Sequence, residues 1–235
     1  MDSIETLKQQ AGIEACKFVK SGMKVGLGTG STVKHTVIEL GRRIKEEGLD
    51  IVGVPTSLAT ETLANKVGVP LVELAECDSL DIVIDGADEF DSEFNLIKGG
   101  GAALLREKIV AQESQSMVVV ADERKMVDTL GAFPLPIEIT PFSHQSTIRR
   151  LTKLLDCRVN CRMAGDNPVV TDNGNYIADA HCGPKLDQPE KLEGEILKIA
   201  GVVQVGLFNN MCDAVVLARK SGVETIINPN GRILN

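Results

Sequence analysis

The sequence predicts an α/β protein: an open, mainly parallel, Rossmann-like sheet with helices on both faces, plus a smaller inserted α+β unit of ferredoxin-like order. Three observations carry this. Short apolar runs alternate with helical stretches over the N-terminal part of the chain. Those runs are continuously apolar rather than alternating, as parallel strands covered on both faces require. Past Phe133-Pro134-Leu135-Pro136 the order changes to strand, helix, strand, hairpin, helix, strand.

Ile4, Leu7, Ala11, Ala15 and Phe18 recur at three- and four-residue spacing, which predicts an amphipathic helix near 3–20. Met23–Leu27 reads as a strand, followed by Gly28-Thr29-Gly30-Ser31-Thr32 and a helix to about Leu40. Asp50–Val54 is a strand, then come Pro55-Thr56-Ser57 and a helix to about Val67. Leu71–Leu74 is a short strand, and Leu80–Ile84 is a strand ending in Asp85-Gly86-Ala87-Asp88. Gly99-Gly100-Gly101 leads into a helix near Ala102–Gln112, and the strand Met117–Ala121 runs into Asp122-Glu123-Arg124-Lys125. Further on come a strand (135–139), a helix (143–155), a strand (157–163), a hairpin around Asp172-Asn173-Gly174, a helix (189–199) and a strand (202–207). Asp213–Ala218 and Val223–Ile227 read as strands that return to the first sheet. The expected main domain is 1–134 with 207–235, and 135–206 is the insertion, a place for an oligomer contact.

Composition narrows the function classes. The chain has 235 residues, 43% hydrophobic and 25% charged, enough for a sizeable core. No apolar run approaches the roughly 18 residues of a membrane span, so no membrane partner is expected. Residues Met1 to Glu5 carry acids and no apolar segment, so a secretory leader is not expected either. The net charge of -8 argues against nucleic acid; an anion can bind only where a local site outweighs that charge. The cysteines Cys16, Cys77, Cys157, Cys161, Cys182 and Cys212 are scattered and read as reduced thiols of a cytoplasmic protein. Cys157 and Cys161 have no second pair to complete a zinc site, and no metal is expected. His35, His144 and His181 show neither catalytic nor metal spacing and read as structural or surface residues.

Four segments can carry chemistry. Gly28–Thr32 offers a tight turn, hydroxyls on Ser31 and Thr32, and the N–H groups of the following helix, a combination that suits a phosphate or an ordinary capped turn. It is not a dinucleotide fingerprint, because Ser31 stands where glycine is needed, and no Gly-Lys-Ser/Thr completes a nucleotide-phosphate loop. Asp85 and Asp88 directly follow a buried strand, where acids are costly unless solvated, paired or used; Glu89, Asp91 and Glu93 suit a solvated acidic loop. Lys98-Gly99-Gly100-Gly101 sets an ammonium beside a loop that can approach a ligand closely. Arg106-Glu107-Lys108, taken alone, reads as a solvated helical face, and Lys125 as a surface lysine at the sheet edge where ligands bind.

Together these segments resemble the A-type ribose-5-phosphate isomerases. The resemblance runs through nearly the whole chain, on Val25–Thr32, Pro55-Thr56-Ser57, Ile84–Glu89, Lys98–Ala103 with Arg106-Glu107-Lys108, and Phe133–Pro136. Leu105 stands where members often have threonine. The resemblance implies interconversion of ribose 5-phosphate and ribulose 5-phosphate, with Glu107 as the base that moves a proton between C2 and C1. It implies that Asp85, Asp88 and Lys98 serve the reacting oxygens. It also implies that Thr29, Gly30, Ser31, Thr32, Gly86, Ala87, Gly99, Gly100 and Gly101 bind substrate, with Lys8 and Lys125 at the phosphate. No cofactor and no metal are implied, and the protein is expected to be a homo-oligomer, a dimer foremost. Two rivals remain: a sugar-phosphate-sensing domain of a regulator, which lacks a DNA-binding module here, and a coenzyme A transferase of related fold.

Overall fold

The computed structural model describes residues 4–232. In chain order its first elements are α1 (Ile4–Ala15), β1 (Lys24–Leu27), α2 (Val33–Glu47), β2 (Val52–Pro55), α3 (Leu58–Val67), β3 (Ile82–Gly86), β4 (Glu89–Phe90) and β5 (Leu96–Ile97). There follow α4 (Leu104–Gln112), β6 (Met117–Asp122), β7 (Leu135–Ile139), α5 (His144–Leu155), β8 (Arg158–Cys161), β9 (Met163–Ala164) and β10 (Asn167–Pro168). The last are β11 (Tyr176–His181), α6 (Pro189–Leu197), β12 (Val202–Val205), β13 (Leu207–Phe208), β14 (Ala214–Arg219) and β15 (Gly222–Ile227).

The chain divides into two compact units. The first comprises Met1–Ala87, Arg106–Lys125 and Asn210–Asn235; the second comprises Asp88–Leu105 and Met126–Asn209.

In the first unit a six-stranded sheet runs β15-β14-β6-β3-β1-β2. All its neighbours pair parallel except β14 with β15, which close the edge as an antiparallel hairpin. Every residue of β6 is buried, which is why that strand reads as one apolar run. Val25, Leu27, Ile82, Ile84, Val118 and Val120 share a core with Leu7, Ala11 and Ala15 of α1 and Val33, Val37 and Leu40 of α2. The opposite face of β1 meets α4: a Cβ on Gly26 would lie 2.6 Å from Val110 Cγ1. Helices therefore cover both faces. Because β1, β2, β3 and β6 run parallel, the segments after their carboxyl ends, Gly28–Thr32, Thr56-Ser57, Asp85–Ala87 and Asp122–Lys125, lie along one edge of the sheet.

In the second unit, β7-α5-β8 and β11-α6-β12 build an antiparallel sheet in the order β12-β7-β11-β8, the ferredoxin-like arrangement. Leu135, Ile137, Ile139, Leu151, Ala178, Ala180, Ile196 and Val205 form its core. The hairpin turn follows Thr171, whose N–H donates to Asn175 O at 2.8 Å.

Several elements depart from the sequence expectation. The helix expected to stop near Leu40 runs to Glu47, because Arg42 pairs with both Glu39 and Glu46 and Gly48 ends the helix in a left-handed conformation. The N-terminal helix gives way to a 3₁₀ turn at Cys16–Phe18, and its expected first residue lies outside the described residues. Leu71–Leu74 is not a strand: only Leu71 bridges Gly53, and Leu74–Glu76 is a 3₁₀ turn. The strand expected over 157–163 stops at Cys161, and the one over 202–207 is split at Gly206, whose N–H goes to Pro136 O and whose carbonyl accepts from Lys98 N.

The second unit also takes in 88–105, 126–134 and 207–209, which the sequence suggests belong with the first. Two interactions account for this. β5 pairs with β4 on one side and with β13 on the other. The Glu89 carboxylate, 4% exposed, accepts hydrogen bonds from Gly131 N and Phe133 N. Glu89 and Asp91 are therefore not a solvated loop; Asp91 Oδ1 caps Glu93 N and Asn95 N, both at 2.9 Å. Glu89→Gln turns an amide NH₂ toward one of the two backbone N–H groups. It is expected to cost about 1–3 kcal/mol in urea unfolding, and an unchanged unfolding midpoint would show that these bonds do not hold the segment.

Candidate active site

In the first unit the site grows from the end of β3. Asp85 has no solvent exposure. Its Oδ1 accepts from Thr29 N at 3.1 Å and Gly86 N at 2.7 Å. Gly28, whose N–H donates to Ile84 O, lies so close that a Cβ there would fall 2.2 Å from Asp85 Oδ1. The glycine-rich turn is thus shaped around the acid as much as around any ligand.

Thr29 joins a cluster of hydroxyls. Its Oγ1 is 2.7 Å from Thr56 Oγ1, 2.8 Å from Ser57 Oγ and 3.2 Å from Thr60 Oγ1. Thr60 Oγ1 in turn donates to Gly28 O at 2.9 Å, and Ser57 caps α3 by accepting from Thr60 N. Thr60 escaped the sequence reading because one threonine inside a helix carries no pattern. Lys8 Nζ, reaching across from α1, donates to the exposed Ser31 hydroxyl at 2.8 Å. Thr32 is buried at the start of α2 and its side chain makes no capping bond. Lys125 lies in the 3₁₀ turn Glu123–Lys125. Just before it, Asp122 is held by both nitrogens of the Arg124 fork at 2.7 and 2.9 Å. Burial raises the Asp122 carboxyl, but the Arg124 bonds outweigh it and hold the group below the usual carboxylate range.

Glu107 occupies the first turn of α4. It is 4% exposed and Lys108 is 2% exposed, so this stretch is not the solvated helical face that its charge pattern suggests. Lys108 is a buried cation that spacing alone gave no reason to select.

In the second unit Asp88 and the glycine loop form one cluster. Asp88 Oδ2 accepts from Gly100 N at 2.7 Å, and a Cβ on Gly100 would lie 2.5 Å from Asp88 Oδ1. Lys98 is 2% exposed, its N–H bonds Gly206 O, and its Nζ lies 5.3 Å from the centre of the Phe208 ring. Arg162 Nη1 donates to Gly99 O and Gly100 O at 2.9 and 3.0 Å. Asp85, Gly86, Ala87, Glu107 and the Thr29–Thr32 turn thus belong to one unit, and Asp88, Lys98 and Gly99–Gly101 to the other.

The histidines take no part: His35 bonds Glu5, His144 stacks edge-on with Tyr176, and His181 bonds Asn160. All six cysteines are free thiols. Cys157 lies 3.2 Å from Cys182 rather than beside Cys161, and burial raises the Cys182 thiol to about 12. Among the described residues no group of three or more His, Cys, Asp or Glu could hold a metal ion, and no helix is long and apolar enough to cross a membrane.

Comparison with known proteins gives the family. Residues 52–222 match the family described as ribose 5-phosphate isomerase A (phosphoriboisomerase A). A ribose-5-phosphate isomerase A of Cereibacter sphaeroides is 50% identical over 229 residues, covering 95% of this chain and 91% of the relative. That of Bacillus mycoides is 49% identical, covering 93% of this chain and 98% of its own. The ribose 5-phosphate isomerase A structure from Methanocaldococcus jannaschii superposes with a TM-score of 0.90 at 42% identity, over 96% of this chain and all (100%) of that one. A D-ribose-5-phosphate isomerase solved in complex with phospho-erythronic acid gives 0.93 at 40% identity, again over 96% and 100% of the two chains. With a match over most of its length and relatives at half identity, the chain belongs to the ribose 5-phosphate isomerase A family.

Proposed function

We propose that this protein interconverts D-ribose 5-phosphate and D-ribulose 5-phosphate by proton transfer through an enediolate, with no metal and no nucleotide. The observation that carries the reading is Glu107, a nearly fully buried carboxylate on the first turn of a helix in a chain of this family.

The chemistry asks for little apparatus. The Glu107 carboxylate takes the proton from C2 of the open-chain aldose, and the C2–H electron pair becomes the C1–C2 double bond as the carbonyl oxygen at C1 takes up negative charge. The same carboxyl then returns the proton to C1, while the C2 hydroxyl gives up its proton to become the ketone and the C1 oxygen takes one up to become the hydroxyl. A positioned base of this kind contributes roughly 10²–10⁴-fold. Lys98 supplies the cation for the developing oxyanion, and Asp85 and Asp88 move protons on the sugar oxygens during ring opening and enediolate formation. Thr29, Gly30, Ser31, Thr32, Gly86, Ala87, Gly99, Gly100 and Gly101 hold the substrate, with the phosphate at Lys8, Lys125 and the N-terminus of α2. The Lys8–Ser31 hydrogen bond supports this placement.

Relatives that carry the isomerase name over nearly their whole length weigh against a sensor that only binds the sugar phosphate. We further propose that it works as a homodimer in the cytoplasm, a reading supported for the compartment by six cysteines scattered through the sequence with no disulfide framework.

The direct test is ketose formation from ribose 5-phosphate with excess chelator and no nucleotide. Rapid conversion is expected; tight binding without conversion would favour the sensor. Glu107→Gln is expected to lower kcat by at least about 10²-fold with KM little changed, and retention of more than a tenth of kcat would remove Glu107 from the role of base. Lys98→Met is expected to lose about 10²–10³-fold in kcat, measured in the same assay; a loss confined to KM would make Lys98 a binding group instead.

A further inference from the structure

Arg162 stands where the strand β8 breaks, between Cys161 and Met163, and its side chain is 18% exposed. Two sets of bonds engage its whole fork. Nε and Nη2 donate to Asp179 Oδ2 and Oδ1 at 2.8 and 2.6 Å. Nη1 donates to the carbonyls of Gly99 and Gly100 at 2.9 and 3.0 Å. One guanidinium therefore ties strand β11 to the glycine loop, and every residue involved belongs to the second unit.

These bonds fix peptide planes as well as distances. The plane joining Gly99 to Gly100 is held at its carbonyl by Arg162 and at its N–H by Asp88 Oδ2. The Gly99 carbonyl also accepts from Ala102 N at 3.0 Å. The plane joining Gly100 to Gly101 is held by its carbonyl on Arg162. No described peptide is cis, and in a trans peptide the N–H points opposite to the carbonyl. The Gly101 N–H is thus directed away from the guanidinium. Glycine peptide planes rotate at little steric cost. A flipped plane would exchange an N–H donor for a carbonyl oxygen, which repels a phosphate or an enediolate.

We infer that Arg162, oriented by Asp179, is a positioning residue that sets the peptide planes of the Gly99–Gly101 loop, so that the loop offers the Gly101 N–H rather than the Gly100 carbonyl to the sugar phosphate. The inference rests on the isomerase reading and deepens it. Lysine cannot replace this arginine, since a single ammonium cannot bond both carbonyls and both Asp179 oxygens in one plane.

The test is steady-state kinetics of the full chain with ribose 5-phosphate, comparing wild type, Arg162→Ala and Asp179→Asn, together with thermal unfolding of each. R162A is expected to lose about 10²-fold in kcat, with a smaller change in KM, and to regain part of it when guanidinium ion is added. A purely structural role would not give that rescue. D179N is expected to fall between wild type and R162A. Folded R162A with wild-type kcat and KM overturns the inference. Should R162A fail to fold, D179N decides: reduced kcat in a folded protein supports the inference, and wild-type kcat overturns it. Absence of turnover in the wild type is a separate outcome that removes the isomerase reading and the inference with it.

Discussion

Asp85 stands one residue before the end of a strand that is otherwise Ile, Val, Ile and Gly, has no contact with solvent, and keeps a carboxylate oxygen on the N–H groups of Thr29 and Gly86. Burying a carboxylate costs several kcal/mol unless hydrogen bonds compensate, and much else in the first unit follows from meeting that cost. Gly28 must lack a side chain because the acid occupies the space its Cβ would take. Thr29 must turn its N–H inward, which brings its hydroxyl to Thr56, Ser57 and Thr60 at the start of α3. The parallel sheet makes this possible by placing the ends of β1, β2 and β3 side by side.

The second unit solves a related problem with different parts. A loop of three glycines has little stiffness of its own. Its order comes from outside, through Asp88 on one N–H and Arg162 on two carbonyls, and from Lys98, whose backbone is stitched to Gly206. The charges here are mutually committed: Arg162 is occupied by Asp179, and the Lys98 ammonium lies beside an aromatic ring. A chain with a net charge of -8 can thus keep cationic groups at particular places for an anionic substrate.

The architecture was largely legible because the buried strands are long apolar runs and the turns are marked by glycine. β3 and β6 announced themselves in this way, as did the hairpin at Asn173-Gly174. What escaped has a common cause. β4, β5 and β13 are two residues each, too short for any period, yet with Glu89 they move 88–105 and 126–134 into the second unit. Leu71–Leu74 has strand composition, but only one residue finds a partner. In the site, the glycine turn and the acids stood out by motif. The burial of Glu107 and Lys108 could not be read from Arg106-Glu107-Lys108, which has the composition of a solvated helix face. Thr60 and Arg162 matter through contacts with residues 32 and 63 positions away in sequence, and nothing local marks them.

The central claim is that a carboxylate carries a proton between C2 and C1. Its most direct test is conversion of ribose 5-phosphate in D₂O with excess chelator, followed by NMR of the ketose. An exchangeable carboxyl intermediary predicts measurable solvent deuterium at C1. Ketose formed with the C2 hydrogen wholly retained at C1, by Glu107→Gln at the wild-type rate as well as by the wild type, would indicate direct hydride transfer and contradict the account.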